Sequence, residues 1–229
     1  MKKIIYYILL LFSLPLFLAA QNPERISLTG DWRFALDSAD VGEKELWYTK
    51  TLVNKIKLPG ITDEGGYGED VIETGKLSRL HKYIGKAWYQ MDITIPKNWK
   101  NKNVSLFFER VMWKSQLWLN DKYIDSWESL LTPHCYSLGK LSPGTYTLTL
   151  CIDNREIYPI GNEWGHSYGD QTQIIWNGII GKMEMSSHPD VQIELVRTFP
   201  DDTGKLDIEV SVLNRTEKKQ KLELFFELK

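Results

Sequence analysis

Ala87-Trp88-Tyr89-Gln90-Met91-Asp92-Ile93-Thr94-Ile95-Pro96 carries the plainest strand pattern in the chain. Tyr89, Met91, Ile93 and Ile95 fall on one side of a strict period-two alternation, the pattern of a strand with one face on a core. Val104-Ser105-Leu106-Phe107-Phe108-Glu109 repeats it, as does Ser115-Gln116-Leu117-Trp118-Leu119. The latter turns through Asn120-Asp121-Lys122 into Tyr123-Ile124, which predicts a hairpin. Upstream, Trp32, Phe34 and Leu36 alternate in the same way. Downstream, the turn Pro143-Gly144 leads into a strand over Tyr146–Asp153. Gly65-Gly66-Tyr67-Gly68 reads as an irregular, flexible loop. It lacks the Lys-Ser/Thr ending and the following helix of a nucleotide-phosphate loop. No helical period stands out beyond the first twenty residues. Short strands with regular turn spacing predict an all-β fold, an antiparallel sandwich or jelly roll.

The amino terminus has the shape of a secretory signal peptide. Lys2-Lys3 supplies the positive start, Ile4 through Leu18 is apolar apart from Ser13 and broken by Pro15, and Ala19-Ala20 gives a small-residue exit. The apolar run is short for a membrane-spanning helix, which needs about 20 residues. Cleavage near Ala20 is therefore expected, leaving a periplasmic or extracellular protein with no membrane association. Export makes Cys135 and Cys151 candidates for pairing, but sequence alone does not bring them within bridging distance. They read as two unpaired, buried thiols. The scattered His81, His134, His166 and His188 carry no zinc or calcium spacing, so no metal and no cofactor are expected. With 28 basic against 30 acidic residues and no basic block, nothing favours nucleic acid as a partner.

The stretch from Asp170 to Gly181, Asp-Gln-Thr-Gln-Ile-Ile-Trp-Asn-Gly-Ile-Ile-Gly, opens polar and closes apolar. It reads as a loop running into a strand, the polar head free to face a ligand. Its two glycines predict a bulge or a close backbone approach. The chain's nine tryptophans and eleven tyrosines fill β cores well and also offer faces on which sugar rings stack.

Six pieces in order carry a resemblance: Gly85-Lys86-Ala87-Trp88-Tyr89, Leu106-Phe107-Phe108-Glu109-Arg110-Val111, Leu117-Trp118-Leu119-Asn120, Thr132-Pro133-His134, Pro143-Gly144 with Ile152-Asp153-Asn154, and Trp176-Asn177-Gly178-Ile179-Ile180-Gly181. Together they resemble the amino-terminal sugar-binding domain of family 2 glycoside hydrolases, which include β-galactosidases, β-glucuronidases and β-mannosidases. The likeness runs from about Ser27 to about Ser187. It implies a galactose-binding-like jelly-roll sandwich, then an immunoglobulin-like sandwich, then a barrel carrying two catalytic glutamates. The expected division is 1–20 signal peptide, 21–188 jelly roll and 189–229 the start of the immunoglobulin-like unit. In that last unit Val191–Val196, Lys205–Asn214 and Lys221–Lys229 read as strands, and the alternation at Lys229 stops in mid-pattern. The expectation is a chain that ends before its enzyme's barrel.

Catalytic residues are therefore expected to be none. Gly161-Asn162-Glu163 superficially matches the family's acid/base pair, but Glu163 falls in a sandwich loop with no positioned second carboxylate, and retaining hydrolysis needs two about 5–5.5 Å apart. In related enzymes a jelly-roll loop reaches the barrel mouth and places a carboxylate near the sugar hydroxyls. Counting back from Gly178 puts Asp170 there, with His166 and Gln171 beside it. Trp176 and Asn177 complete the expected substrate-binding set, Trp176 either anchoring the strand or lining the pocket. Trp164 and Tyr168 flank the loop as stacking candidates, while Trp88 and Trp118 read as structural. The expected partner is carbohydrate, and since related enzymes often assemble, a homo-oligomer is a candidate state. The competing readings are a freestanding carbohydrate-binding module and an adhesive β-sandwich that binds protein.

Overall fold

The structure is a computed structural model that describes residues 23–71, 80–155 and 175–227. Its strands in chain order begin with β1 (Glu24–Ser27), β2 (Gly30–Asp37), β3 (Asn54–Leu58), β4 (Gly60–Ile61), β5 (Glu69–Asp70) and β6 (His81–Lys82). The long central strands follow: β7 (Lys86–Ile95), β8 (Asn103–Val111), β9 (Lys114–Leu119), β10 (Lys122–Glu128), β11 (His134–Lys140), β12 (Gly144–Asp153) and β13 (Gly178–His188). Last come β14 (Val191–Pro200) and β15 (Leu206–Asn214). Among the described residues the only helical turns are two three-residue 3-10 segments.

Two antiparallel sheets face each other. One runs β10-β9-β12-β7-β2-β3, and the other runs β1-β13-β8-β11 with β4 also paired to β13. The core lies where period two puts it. Tyr89, Ile93 and Ile95 of β7 join Leu148, Leu150 and Ile152 of β12 and Leu117 of β9. Against them pack Leu106 and Phe108 of β8, Tyr136 of β11, and Ile179, Met183 and Met185 of β13. The all-β sandwich expected from the alternation is what the chain forms.

Alternation understates one face. Residues Ala87 to Gln90 are buried without a break. The connection between β2 and β3 folds over this end of β7 and seals it. The buried Asp37 carboxylate accepts the Val41 and Gly42 amides at 2.8 and 2.9 Å and the Trp88 indole N–H at 3.0 Å. Gln90 ties the same connection down, its Nε2 donating to the Lys50 carbonyl at 2.9 Å. Trp88, Trp118, Cys151 and Leu52 then make a second apolar cluster, with Trp47 and Tyr48 against it. Gly42 is required here: a Cβ would lie 2.4 Å from the Trp88 Nε1. Trp88 and Trp118 are structural, as expected.

Three expectations change. Cys135 is exposed, on edge strand β11, and only Cys151 is buried; both thiols are free. The Gly65–Gly68 stretch is a turn tied to the sandwich, with the Tyr67 ring 4.5 Å from Phe34 and its hydroxyl donating to the Lys55 carbonyl. Residues 221–227 form no strand, and Leu222, Leu224, Phe225 and Phe226 are exposed. Alternation supplies the faces of a strand but not its neighbour, and no described strand pairs with this segment. β14 and β15 form a separate two-stranded sheet after the sandwich.

Candidate functional site

At one end of the sandwich two segments leave and return side by side. The chain departs β12 at Asn154 and re-enters at Trp176, and Asn154 closes that base. Its Nδ2 donates to the Trp176 carbonyl at 3.1 Å and to the Tyr83 carbonyl at 2.9 Å, while its Oδ1 accepts the Gly85 amide at 2.8 Å. Asn154 is fully buried, so these bonds form where water does not compete. The neighbouring segment is closed by the Val71 amide on the Leu80 carbonyl, at 2.9 Å. Asp63 grips the return, one carboxylate oxygen accepting the Leu80 and His81 amides at 3.1 and 2.8 Å. The two bases touch through β4 and β13, where the Thr62 amide donates to the Asn177 carbonyl at 2.8 Å.

Asn177 sits beneath both. Its Nδ2 donates to the Gly85 and Ile152 carbonyls at 3.0 and 3.1 Å, and its Oδ1 accepts the Tyr89 hydroxyl at 2.7 Å. Tyr89 is wholly enclosed, and burial pushes its hydroxyl well above the ordinary tyrosine range. The hydroxyl therefore stays protonated and donates. Gly178 follows with φ +145°, and a Cβ on it would lie 2.3 Å from the Gly60 carbonyl oxygen. That is the close backbone approach expected of the Gly-Ile-Ile-Gly unit.

The rim is ionic. Arg155 forms ion pairs with Asp153 at 2.5 Å and Asp40 at 3.0 Å, and Lys86 lies 2.8 Å from both Asp40 and Glu43. The Lys86 hydrogen bond, with help from Arg155, holds the Asp40 carboxyl below its usual range. Asp153, chiefly, raises the Arg155 guanidinium, with Asp40 adding to it. Burial works against the Lys86 ammonium, but Asp40 and Glu43 more than offset it. The Tyr83 hydroxyl, pushed by burial to about 12, donates to the Lys86 carbonyl. These groups hold two strand ends and two segment bases in register, with their charges already paired.

Of the expected site residues, His166, Asp170 and Gln171 lie outside the described residues, as do Glu163, Trp164 and Tyr168. Trp176 is half-buried beside the clamp, its carbonyl engaged by Asn154. Asn177 corrects the expectation: it is 0% exposed and both its amide hydrogens are spent inside the protein, so it carries the loop and does not face a ligand. The sequence reading missed Asn154, Tyr83 and Asp63 as loop-base residues. Asn154 had a signal, a polar residue directly after an apolar strand; Asp63 had none. Among the described residues, no cluster of three His, Cys, Asp or Glu is placed to hold a metal ion.

The sequence of residues 26–152 matches the family described as glycosyl hydrolases family 2, sugar binding domain, more than half of the chain. The chain belongs to this family. Solved family 2 structures with the same arrangement include the beta-glucuronidase of Faecalibacterium prausnitzii, at TM-score 0.66 and 25% identity over 86% of this chain and 37% of that one. The Ruminococcus gnavus beta-glucuronidase superposes at TM-score 0.67 and 18% identity, over 85% of this chain and 34% of its own. That of an uncultured Clostridium sp. superposes at 0.64 and 23% identity, over 83% and 34%. The chain spans little more than a third of the length of these enzymes. Its sandwich is thus a family 2 sugar-binding domain, related to carbohydrate binding in glycoside hydrolases.

Proposed function

We propose that this chain is the amino-terminal, carbohydrate-binding portion of an exported family 2 glycoside hydrolase, and that the segment between Asn154 and Trp176 contacts the substrate. The observation that carries this reading is the clamp at Asn154, which holds both bases of that segment on a family 2 sugar-binding sandwich. Within the segment, Asp170 accepts sugar hydroxyls, with His166 and Gln171 beside it, because a carboxylate takes two hydroxyl hydrogen bonds and fixes the ring's orientation. Trp176 borders the site. The substrate class is a β-linked glycoside; the beta-glucuronidases among the solved structures make a β-glucuronide the first to try. The leader Met1–Ala20 directs the protein to the periplasm or beyond. The hydrolytic carboxylates belong to a barrel outside this chain, so the chain's own part is to bind and orient.

The test is kinetic. The full enzyme is assayed on aryl β-glucuronide, β-galactoside and β-mannoside, with Asp170→Ala beside it. Loss of one charge-assisted hydrogen bond lowers kcat/KM on the accepted substrate by about 10–100-fold. Unchanged kinetics ends the contact role of Asp170. No turnover on any glycoside, with sugar binding retained by calorimetry, points instead to a non-catalytic binding module.

A further inference from the structure

The candidate site and the second sheet lie at opposite ends of one strand. β13 runs from Gly178, beside the clamp, to His188, where the chain leaves the sandwich. At about 3.3 Å per residue, its length puts the two ends about 35 Å apart. Only Pro189 and Asp190 intervene before β14 begins at Val191. No strand of the second sheet pairs with a strand of the sandwich, and β14 is exposed from Ile193 onward. The direction in which that sheet leaves the sandwich is therefore set at its root.

Asp190 occupies the root. Its Oδ1 accepts from the Asn103 Nδ2 of β8 at 2.8 Å, and its Oδ2 lies 2.7 Å from the Lys140 Nζ of β11. Asn103 and Lys140 are register partners, so one carboxylate spans two strands of the sandwich. Its carbonyl accepts the Arg215 amide at 2.7 Å, one step beyond the Val191–Asn214 pair of the β14–β15 ladder. The side chain holds the sandwich while the backbone holds the second sheet. The Lys140 pair is half-exposed and worth little alone. Asn103 is buried, and its bond forms where water competes less. Lys140 first, then Asn103, hold the Asp190 carboxyl below its usual range, so it is charged at neutral pH.

We propose that Asp190 is a positioning residue: its carboxylate fixes the angle between the sandwich and the second sheet, and so places the candidate site relative to the rest of the longer enzyme. The enzymatic half rests on the proposed function; the angle does not. The Pro189 ring locks its own φ. The ψ of Pro189 and both dihedrals of Asp190 are then left for the Asn103, Lys140 and Arg215 bonds to hold. A tilt of about 10° at the crossing swings the far end of β13 by about 6 Å. A misplacement of about 1 Å already costs a reacting group heavily, so a contact on the sandwich needs this joint stiff.

Exposed Cys135 on β11 and Asp202→Cys in the turn of the second sheet take a pair of spin labels, while buried Cys151 stays unlabelled. The inter-label distance distribution is expected to be narrow with Asp190 in place and broad in Asp190→Ala. Asp190→Asn, which keeps an acceptor for Asn103 but no charge for Lys140, falls between them. An Asp190→Ala distribution as narrow as that of the parent, or a parent already broad, overturns the proposal. Should Asp190→Ala fail to fold, Lys140→Met on the exposed end of β11 repeats the test, and an unchanged distribution there overturns it. In the full enzyme, Asp190→Ala lowers kcat/KM by about 10-fold with little change in melting temperature, and Asp190→Asn recovers part of the loss. Unchanged kinetics beside a broadened distribution overturns the positioning role and leaves the proposed function standing. An enzyme that turns over no glycoside ends the proposed function, and the label distances still decide the joint.

Discussion

The Tyr89 hydroxyl donates to the Asn177 Oδ1 at 2.7 Å in the interior of the sandwich, tying the middle of β7 to the residue just before β13 of the opposite sheet. Each partner is committed further, Tyr89 to the core and Asn177 to the carbonyls of Gly85 and Ile152. This pair carries the clamp beneath the candidate site, so its loss is felt first in stability. Asn177→Ala strands one donor and two acceptors in the dry interior and is expected to cost about 3 kcal/mol or more, against about 1–2 for Tyr89→Phe. Urea denaturation of the two variants and their double checks this. The double costs less than the sum, since each single change removes the same bond.

Gly178→Ala separates space from conformation. Its Cβ would lie 2.3 Å from the Gly60 carbonyl oxygen at φ +145°, whereas Gly144, at φ +153°, has nothing within 4 Å. Gly144→Ala is expected to cost about 1 kcal/mol from backbone strain alone. Gly178→Ala breaks the β4–β13 contact as well and costs about 3 kcal/mol or more. Equal thermal shifts in the two variants would rule out the close approach.

His134 sets a pH limit on the sandwich itself. Its Nδ1 lies 2.6 Å from the Ser115 hydroxyl, which is 2.5 Å from the Tyr136 hydroxyl, and its Nε2 donates to the Ser129 carbonyl at 3.1 Å. Burial lowers its pKa below the ordinary value. The unfolded chain then holds the proton more tightly, and stability declines as pH falls below about 6.5. Thermal melts between about pH 7.5 and 5 show the decline. His134→Asn, which puts an acceptor where Nδ1 sits, flattens it while lowering stability at neutral pH by about 1–2 kcal/mol.

One thiol is expected to react in the native state. Cys135 is exposed, though partial burial raises its pKa and slows it, whereas Cys151 lies in the second apolar cluster, where burial raises its thiol far more. Titration with an aromatic disulfide reagent consumes one thiol per chain natively and the second only in denaturant. Two equally fast native thiols would contradict the packing of Cys151 against Trp88 and Trp118.

The sheet faces are legible in the sequence alone. Alternation is a local property, and at Tyr89, Ile93 and Ile95 or at Trp32 and Phe34 it names the buried side without knowing the partner strand. It also marked the Gly-Ile-Ile-Gly unit as a close approach and ordered the pieces that resemble a family 2 domain. The bonds that cross between distant segments emerge only once the chain is folded. Asn177 is spent on Tyr89, Gly85 and Ile152, residues 25 to 92 positions away, so its polarity alone read as an offer to a ligand. The reach of Asp63 to Leu80 and His81, and of Asp37 to Trp88, likewise has no local signature. Cys135 was misplaced because burial on an edge strand depends on which neighbour covers it. Residues 221–227 have the faces of a strand, but no described strand pairs with them. A side chain's face is written in its own neighbourhood, but its partner is fixed by chain topology, and in this protein the partners build the base of the site.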